Sequence, residues 1–237
     1  IHGVTLRLIA SFGDDGLAIF SRSDVTGALS FVDEVQSGLG GIDGLGSVAA
    51  VSIAPDGRHV YAASYDDDGL AAFTRDPSSG ELTFVESFRD DVNGVDGLSG
   101  AAVVSLAPDG AHLYAAGRLE PKIAVFSRND VTGTLTYVET LENGVNGVSG
   151  LNDTTSITVS RDGAHVYSTG HADNAIAVFA RNALTGALTF VEVQQDGAAG
   201  VDGLAGAAWT ALSPDGAHLY AAGLNDNAVA VFERNIG

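Results

Sequence analysis

AAVSIAPDGRHVYAASYDDDGLAAFTRDPSSGELTFVES, residues 49–87, holds four short apolar runs separated by three turn signals. Residues 49 to 54 form the first run, closed by Pro55-Asp56-Gly57. Residues 59 to 64 form the second, closed by Asp66-Asp67-Asp68-Gly69. Residues 70 to 74 form the third, closed by Asp76-Pro77-Ser78-Ser79-Gly80, and residues 81 to 87 the fourth. Small and β-branched residues alternate with Phe and Tyr, as a pleated, half-buried strand requires. Asp, Asn, Pro and Gly supply the turn conformations between them. The stretch therefore predicts four antiparallel strands, A to D. A glycine-rich connection, RDDVNGVDGLSG over 89–100, leads to the next strand A.

The same reading holds outward in both directions. Phe20, Phe73, Phe126, Phe179 and Phe232 recur every 53 residues, as do Asp56, Asp109, Asp162 and Asp215, with His59, His112, His165 and His218 three residues later. No helical period survives at any length. Four short strands in each repeat of this size predict an all-β chain folded as a β-propeller. The units are a partial blade over 1–47, full repeats over 48–100, 101–153 and 154–206, and a partial blade over 207–237, about four and a half blades in one propeller region. The chain opens at strand B and finishes after strand C. Neither terminus brings the strand the other lacks, so three arrangements stand: a piece of a longer propeller or assembly, two copies combining, or five blades of which two are incomplete. Unpaired blade edges also make self-association a candidate interaction.

Charge narrows the partners. Thirty acidic residues against eleven basic ones give a net charge of −19. That excludes nucleic acid, whose affinity comes from Lys and Arg, and anionic membrane surfaces. No apolar run reaches transmembrane length, so membrane insertion is not expected. No secretory leader is visible, and a chain without Met that starts at Ile1 reads as processed or partial. Cysteine is absent, removing disulfide and thiol chemistry.

Ser213-Pro214-Asp215-Gly216, Asn225-Asp226-Asn227 and Thr185-Gly186-Ala187-Leu188-Thr189-Phe190 resemble the bacterial lactonase-like propellers, a group related to 6-phosphogluconolactonase and to the YVTN-type surface repeats. The resemblance spans the whole chain. It implies the propeller fold and, as one reading, a lactone hydrolase; it places no catalytic residues at particular positions here. Near-identical blades depart from an enzyme's pattern, in which a few blades diverge around one site. The expected function is accordingly a non-enzymatic binding or surface-display module, secreted or at the cell surface, with a carbohydrate or peptide ligand on an acidic loop face. The alternative is the lactonase.

Candidate sites lie where the repeat gathers acid or breaks. Asp67, Glu120, Asp173 and Asp226 fall in the B–C turns, and Asp43, Asp96 and Asp202 in the D–A connections of the same face. Carboxylates mixed with the carbonyls of glycine-rich loops suit calcium; the plain alternative is that Asp stabilises turns. Trp209 stands alone, either stacking a ligand at the channel mouth or filling space between blades. Arg118-Leu119-Glu120-Pro121-Lys122 and His171 mark two adjacent turns as different from the others. The histidine column is expected in blade-to-blade packing, and the arginine column (Arg22, Arg75, Arg128, Arg181, Arg234) beside local acids such as Asp76. No nucleophile elbow is present.

Overall fold

The computed structural model describes residues 5–235; residues 1–4 of the first partial blade and 236–237 of the last lie outside the described residues. Eighteen strands form five separate antiparallel sheets and no helix among them. The first sheet is β1 (Thr5–Ser11), β2 (Gly16–Arg22) and β3 (Leu29–Gln36). The second is β4 (Val48–Ile53), β5 (His59–Ser64), β6 (Gly69–Arg75) and β7 (Leu82–Arg89), and the third β8 (Ala101–Leu106), β9 (His112–Gly117), β10 (Lys122–Arg128) and β11 (Leu135–Glu142). The fourth is β12 (Thr154–Val159), β13 (His165–Gly170), β14 (Ala175–Arg181) and β15 (Leu188–Gln195), and the last β16 (Ala207–Leu212), β17 (His218–Gly223) and β18 (Ala228–Glu233). The inner strands β4, β8, β12 and β16 lie against one another in chain order. This is a propeller arc, with β1 standing where a strand B belongs.

The 53-residue phenylalanine period has a packing cause. Each of these rings meets an aromatic on the neighbouring strand D edge-on: Phe20 with Phe31, Phe73 with Phe84, Phe126 with Tyr137 and Phe179 with Phe190, at 5.7–5.8 Å. Such edge contacts add about 0.5–1.5 kcal/mol beyond buried area. Apolar clusters then bridge consecutive sheets. Tyr61 and Leu70 pack with Leu113 and Phe126, and Tyr114 and Ile123 with Val166 and Phe179. Every A–B ladder carries a bulge that leaves Ala49, Ala102, Thr155 or Ala208 unpaired.

A polar lock joins the sheets as well. Tyr61 Oη donates to the Gly133 carbonyl at 2.8 Å and accepts from Arg128 Nε at 3.0 Å; Arg128 Nη2 also reaches Asp56 and His59 Nδ1. One repeat later Tyr114, Gly186, Arg181, Asp109 and His112 make the same set. A guanidinium can only donate, so the histidine Nδ1 accepts and the ring is neutral. Burial holds His59 and His112 below their ordinary pKa, and the adjacent Arg128 or Arg181 adds to that. A Cβ on Gly133 or Gly186, both at positive φ, would stand 2.1 or 2.2 Å from the histidine ring. The expectation of local, exposed arginine pairs holds for Arg22, 3.2 Å from Asp24, and is corrected for the buried arginines. Arg128 and Arg181 are buried and hold the aspartate of the preceding blade, while Asp76 accepts from its own turn's Ser78 and Ser79 amides.

Trp209 sits where Val103 and Ser156 are buried against the following sheet. It is 62% exposed and shares with Val229 and Val231 the face of the last sheet that in the other blades meets the next sheet.

Candidate active site

Strand A begins and strand B ends at the same rim of the arc. The residue just after strand B is Phe12, Tyr65, Arg118, His171 or Leu224, a different side chain in every blade of an otherwise uniform repeat. The residue just before strand A is Ser47, Gly100, Asp153 or Gly206, always at positive φ (51°, 62°, 57° and 65°). The two positions are tied through the backbone: the amides of Tyr65, Arg118, His171 and Leu224 donate to the carbonyls of Ser47, Gly100, Asp153 and Gly206. Two blades put glycine at the left-handed position because it carries no penalty there. Ser47 and Asp153 hold that conformation with a side chain attached, which aspartate tolerates better than most residues.

Three of the blade junctions at this rim share a brace. Asp15, Asp68 and Asn174 accept, through their side chains, the amides of Ser47, Gly100 and Gly206 in the next blade at 2.6–2.7 Å. Pro121 occupies the matching position in the third blade and has no such side chain. There Arg118 reaches across instead, its Nε 2.6 Å and Nη2 3.1 Å from the two oxygens of Asp153. His171 Nδ1 lies 3.2 Å from the same carboxylate. Hydrogen bonding from Arg118 holds the Asp153 carboxyl below its ordinary range against burial, with His171 helping, and Asp153 in turn raises Arg118.

The result is a carboxylate gripped at both oxygens by a guanidinium and sharing Oδ2 with an imidazole. That selects the tautomer with the proton on Nδ1 and leaves Nε2 as an acceptor at a partly open rim. Beneath this pair the bulged Thr155 bonds Thr169 at 3.0 Å and the Ala208 carbonyl at 2.7 Å. The matching positions in other blades are Ala49, Ala102 and Ala208 for Thr155, and Ala63, Ala116 and Ala222 for Thr169.

Of the residues singled out from sequence, His171 is in this constellation and Asp173 flanks it, accepting from Asn152 N at 3.0 Å and Asn152 Nδ2 at 2.7 Å. Asp67 accepts from Gly46 N and Arg89, Asp226 from Ala205 N, and Glu120 pairs with Lys122 at 2.8 Å. Of the aspartates proposed for calcium, Asp43 is paired with Arg89 at 2.9 Å and Asp96 with Lys122 at 2.8 Å. Asp202 converges with Asp196 and Asp226, with carboxylate oxygens within 4.8 Å of one another, and Asp96 with Asp90 and Asp91. Asp90 and Asp196 in these groups accept the amides of Leu98 and Leu204, a duty within the loop. Asp153, Thr155 and Thr169 escaped the sequence reading. Their signal was a polar side chain at repeat positions otherwise held by Gly, Ser or Ala.

The sequence profile of a family described as lactonase, 7-bladed beta-propeller, matches residues 14–93, 89–146 and 107–236. A 6-phosphogluconolactonase of Klebsiella pneumoniae is 27% identical over 223 residues, covering 92% of this chain and 64% of that protein. The chain thus spans a little under two thirds of the curated relative. A crystal structure of a Bacteroides uniformis protein superposes with TM-score 0.76 at 23% identity, covering 100% of this chain and 65% of the other. A Pseudomonas aeruginosa periplasmic gluconolactonase superposes with TM-score 0.70 at 22% identity, covering 93% and 60%. At these identities the two structures speak for the fold.

Proposed function

Because the chain belongs to the lactonase family of seven-bladed β-propellers, we propose that it hydrolyses a sugar lactone at the rim site formed by Arg118, Asp153 and His171. The expectation of a non-enzymatic binding or display module is corrected by that membership and by a relative named 6-phosphogluconolactonase. Uniform blades looked incompatible with one catalytic site. The uniformity stops at the rim, where each blade carries its own residue.

The observation that carries the reading is the shared carboxylate of Asp153. Lactone hydrolysis needs a water deprotonated as it attacks the carbonyl, and a donor for the oxyanion that forms. His171 Nε2 takes the proton, and Asp153 stabilises the imidazolium through Nδ1–H. Arg118 commits Nε and Nη2 to Asp153, so its Nη1 lies outside that fork for the oxyanion. The ring oxygen leaves as a hydroxyl, receiving the proton from His171. No covalent intermediate is required, in keeping with the lack of an activated nucleophile.

The test is acid release from a panel of aldonolactones by the intact protein and His171→Gln. General base catalysis contributes about 10²–10⁴-fold, so kcat should fall at least about 100-fold with KM little changed, and the limb of the pH–rate profile due to the base should vanish. Full activity in His171→Gln would sink the assignment.

A further inference from the structure

The rim also bears on which lactone is taken, an inference that rests on the lactonase reading. Three basic side chains stand at this rim among the described residues: Arg89, Arg118 and Lys122. Each is already held by carboxylates. Arg89 bonds Asp43 and Asp67, Arg118 bonds Asp153, and Lys122 bonds Asp96 and Glu120. The other arginines with described side chains work elsewhere. Arg128, Arg181 and Arg234 lock one sheet to the next, Arg58 and Arg161 lie in the A–B turns at the opposite rim, and Arg22 and Arg75 hold Asp24 and the Gly57 carbonyl there.

Backbone amides are the other resource for binding a phosphate, since a cluster of unpaired N–H groups makes an anion nest. Here five of the amides opening strand A are capped. Those of Gly46, Gly100, Asn152, Ala205 and Gly206 all donate to the side chains of Asp67, Asp68, Asp173, Asp226 and Asn174. The remaining carboxylates leave the rim acidic. Asp90 is pushed above its ordinary pKa chiefly by burial, with the charges of Glu120 and Asp91 adding to it.

We propose that this rim selects an uncharged sugar lactone over a phosphorylated one. A phosphate monoester carries about −1.5 to −2 charge at pH 7. It would enter a field of its own sign, where each basic side chain is already paired with a carboxylate. A rim of one sign changes encounter rates by roughly 10–10³-fold, here against the phosphorylated substrate.

The experiment compares kcat/KM of the intact protein for glucono-1,5-lactone and its 6-phosphate at low salt and at about 0.5 M salt, where screening shortens to a few ångströms. At least tenfold preference for the uncharged lactone, shrinking with salt, is the expected result. Equal rates, or preference for the phosphate ester, would overturn the proposal. If neither lactone is turned over, the lactonase reading fails. Calorimetric titration with gluconate and 6-phosphogluconate then still decides the charge selection: a tighter 6-phosphogluconate complex refutes it and a weaker one sustains it.

Discussion

Replacing Tyr114 with phenylalanine keeps the ring and deletes one oxygen from the lock between the third and fourth sheets. That oxygen donates to the Gly186 carbonyl at 2.9 Å and accepts from Arg181 Nε at 2.8 Å, with no solvent exposure of Tyr114. Both partners would be left buried and unpaired at these atoms. An orphaned buried donor or acceptor costs about 1–3 kcal/mol. Arg181 keeps Gly163, Asp109 and His112 on its other nitrogens, which rules out collapse of the whole lock. The sum is about 3 kcal/mol. Taking about 3 kcal/mol per molar for the urea dependence of a chain this long, the unfolding midpoint should fall by about 1 M. Tyr220 provides the control inside the same molecule. It occupies the same repeat position but is 39% exposed, and no arginine is bonded to its hydroxyl. Tyr220→Phe in the 237-residue chain should change the midpoint by no more than about 0.2 M, the scale of an ordinary surface change. Equal shifts in the two variants would show that the hydroxyl is not what holds the sheets, and the lock would have to be abandoned as an energetic unit. A second reading comes from ultraviolet titration, in which Tyr61 and Tyr114, pushed up to about 12 chiefly by burial, should ionise last.

Two further outcomes follow from the same contacts. Ser168 is fully buried with no hydrogen-bond partner for its hydroxyl, and the other blades have Ala62, Ala115 and Ala221 there. Ser168→Ala should therefore raise stability by about 1 kcal/mol in urea unfolding, whereas a clear loss would mean the hydroxyl has a bonding role. Acid should weaken the lock in two stages. His59 and His112 are held below 6.5, so the unfolded chain takes up protons first, and stability is lost as pH falls below that value, by at most about 1.4 kcal/mol per pH unit for each ring. Lower still, Asp56 and Asp109 act in the same direction. Burial pushes them up, but hydrogen bonds from Arg128 and Arg181 and from the amides of Arg58 and Ala111 outweigh it and hold them below 3.8. The net charge of −19 works the other way, because protonating surface carboxylates relieves repulsion. Urea midpoints measured in about 0.5 M salt, which screens that repulsion, should fall between pH 7.5 and pH 5; a rise would contradict the neutral-histidine lock.

Much of the architecture was legible because the period repeats every signal. The strands predicted over 49–54, 59–64, 70–74 and 81–87 lie within two residues of β4 to β7 at every end. The arginine column was misread for a simple reason. Its partners are 72 residues away, as Arg128 is from Asp56, while Asp76 beside Arg75 looked sufficient. At the rim, His171 and Asp173 were visible as departures from the repeat, but Asp153 was not. It sits in a glycine-rich connection where one more aspartate looks like turn chemistry, and only its grip on Arg118 sets it apart. Trp209 stood out because it is unique, and its place in the ladder opposite Ala222 puts it on the face that in the other blades meets the next sheet.

The lock between sheets has a direction. The second and third blades each offer an Asp, a His and a Tyr forward, to an Arg and a turn Gly of the next blade, at unchanged spacing. Any such blade therefore fits between any other two, as a link fits anywhere in a chain. Copying one in tandem would extend the arc without asking its neighbours to change. Sequence drift within a blade is then limited at five positions and free at the rim. A gene under that constraint can lengthen or shorten its ring by unequal exchange, while new chemistry is tried one blade at a time.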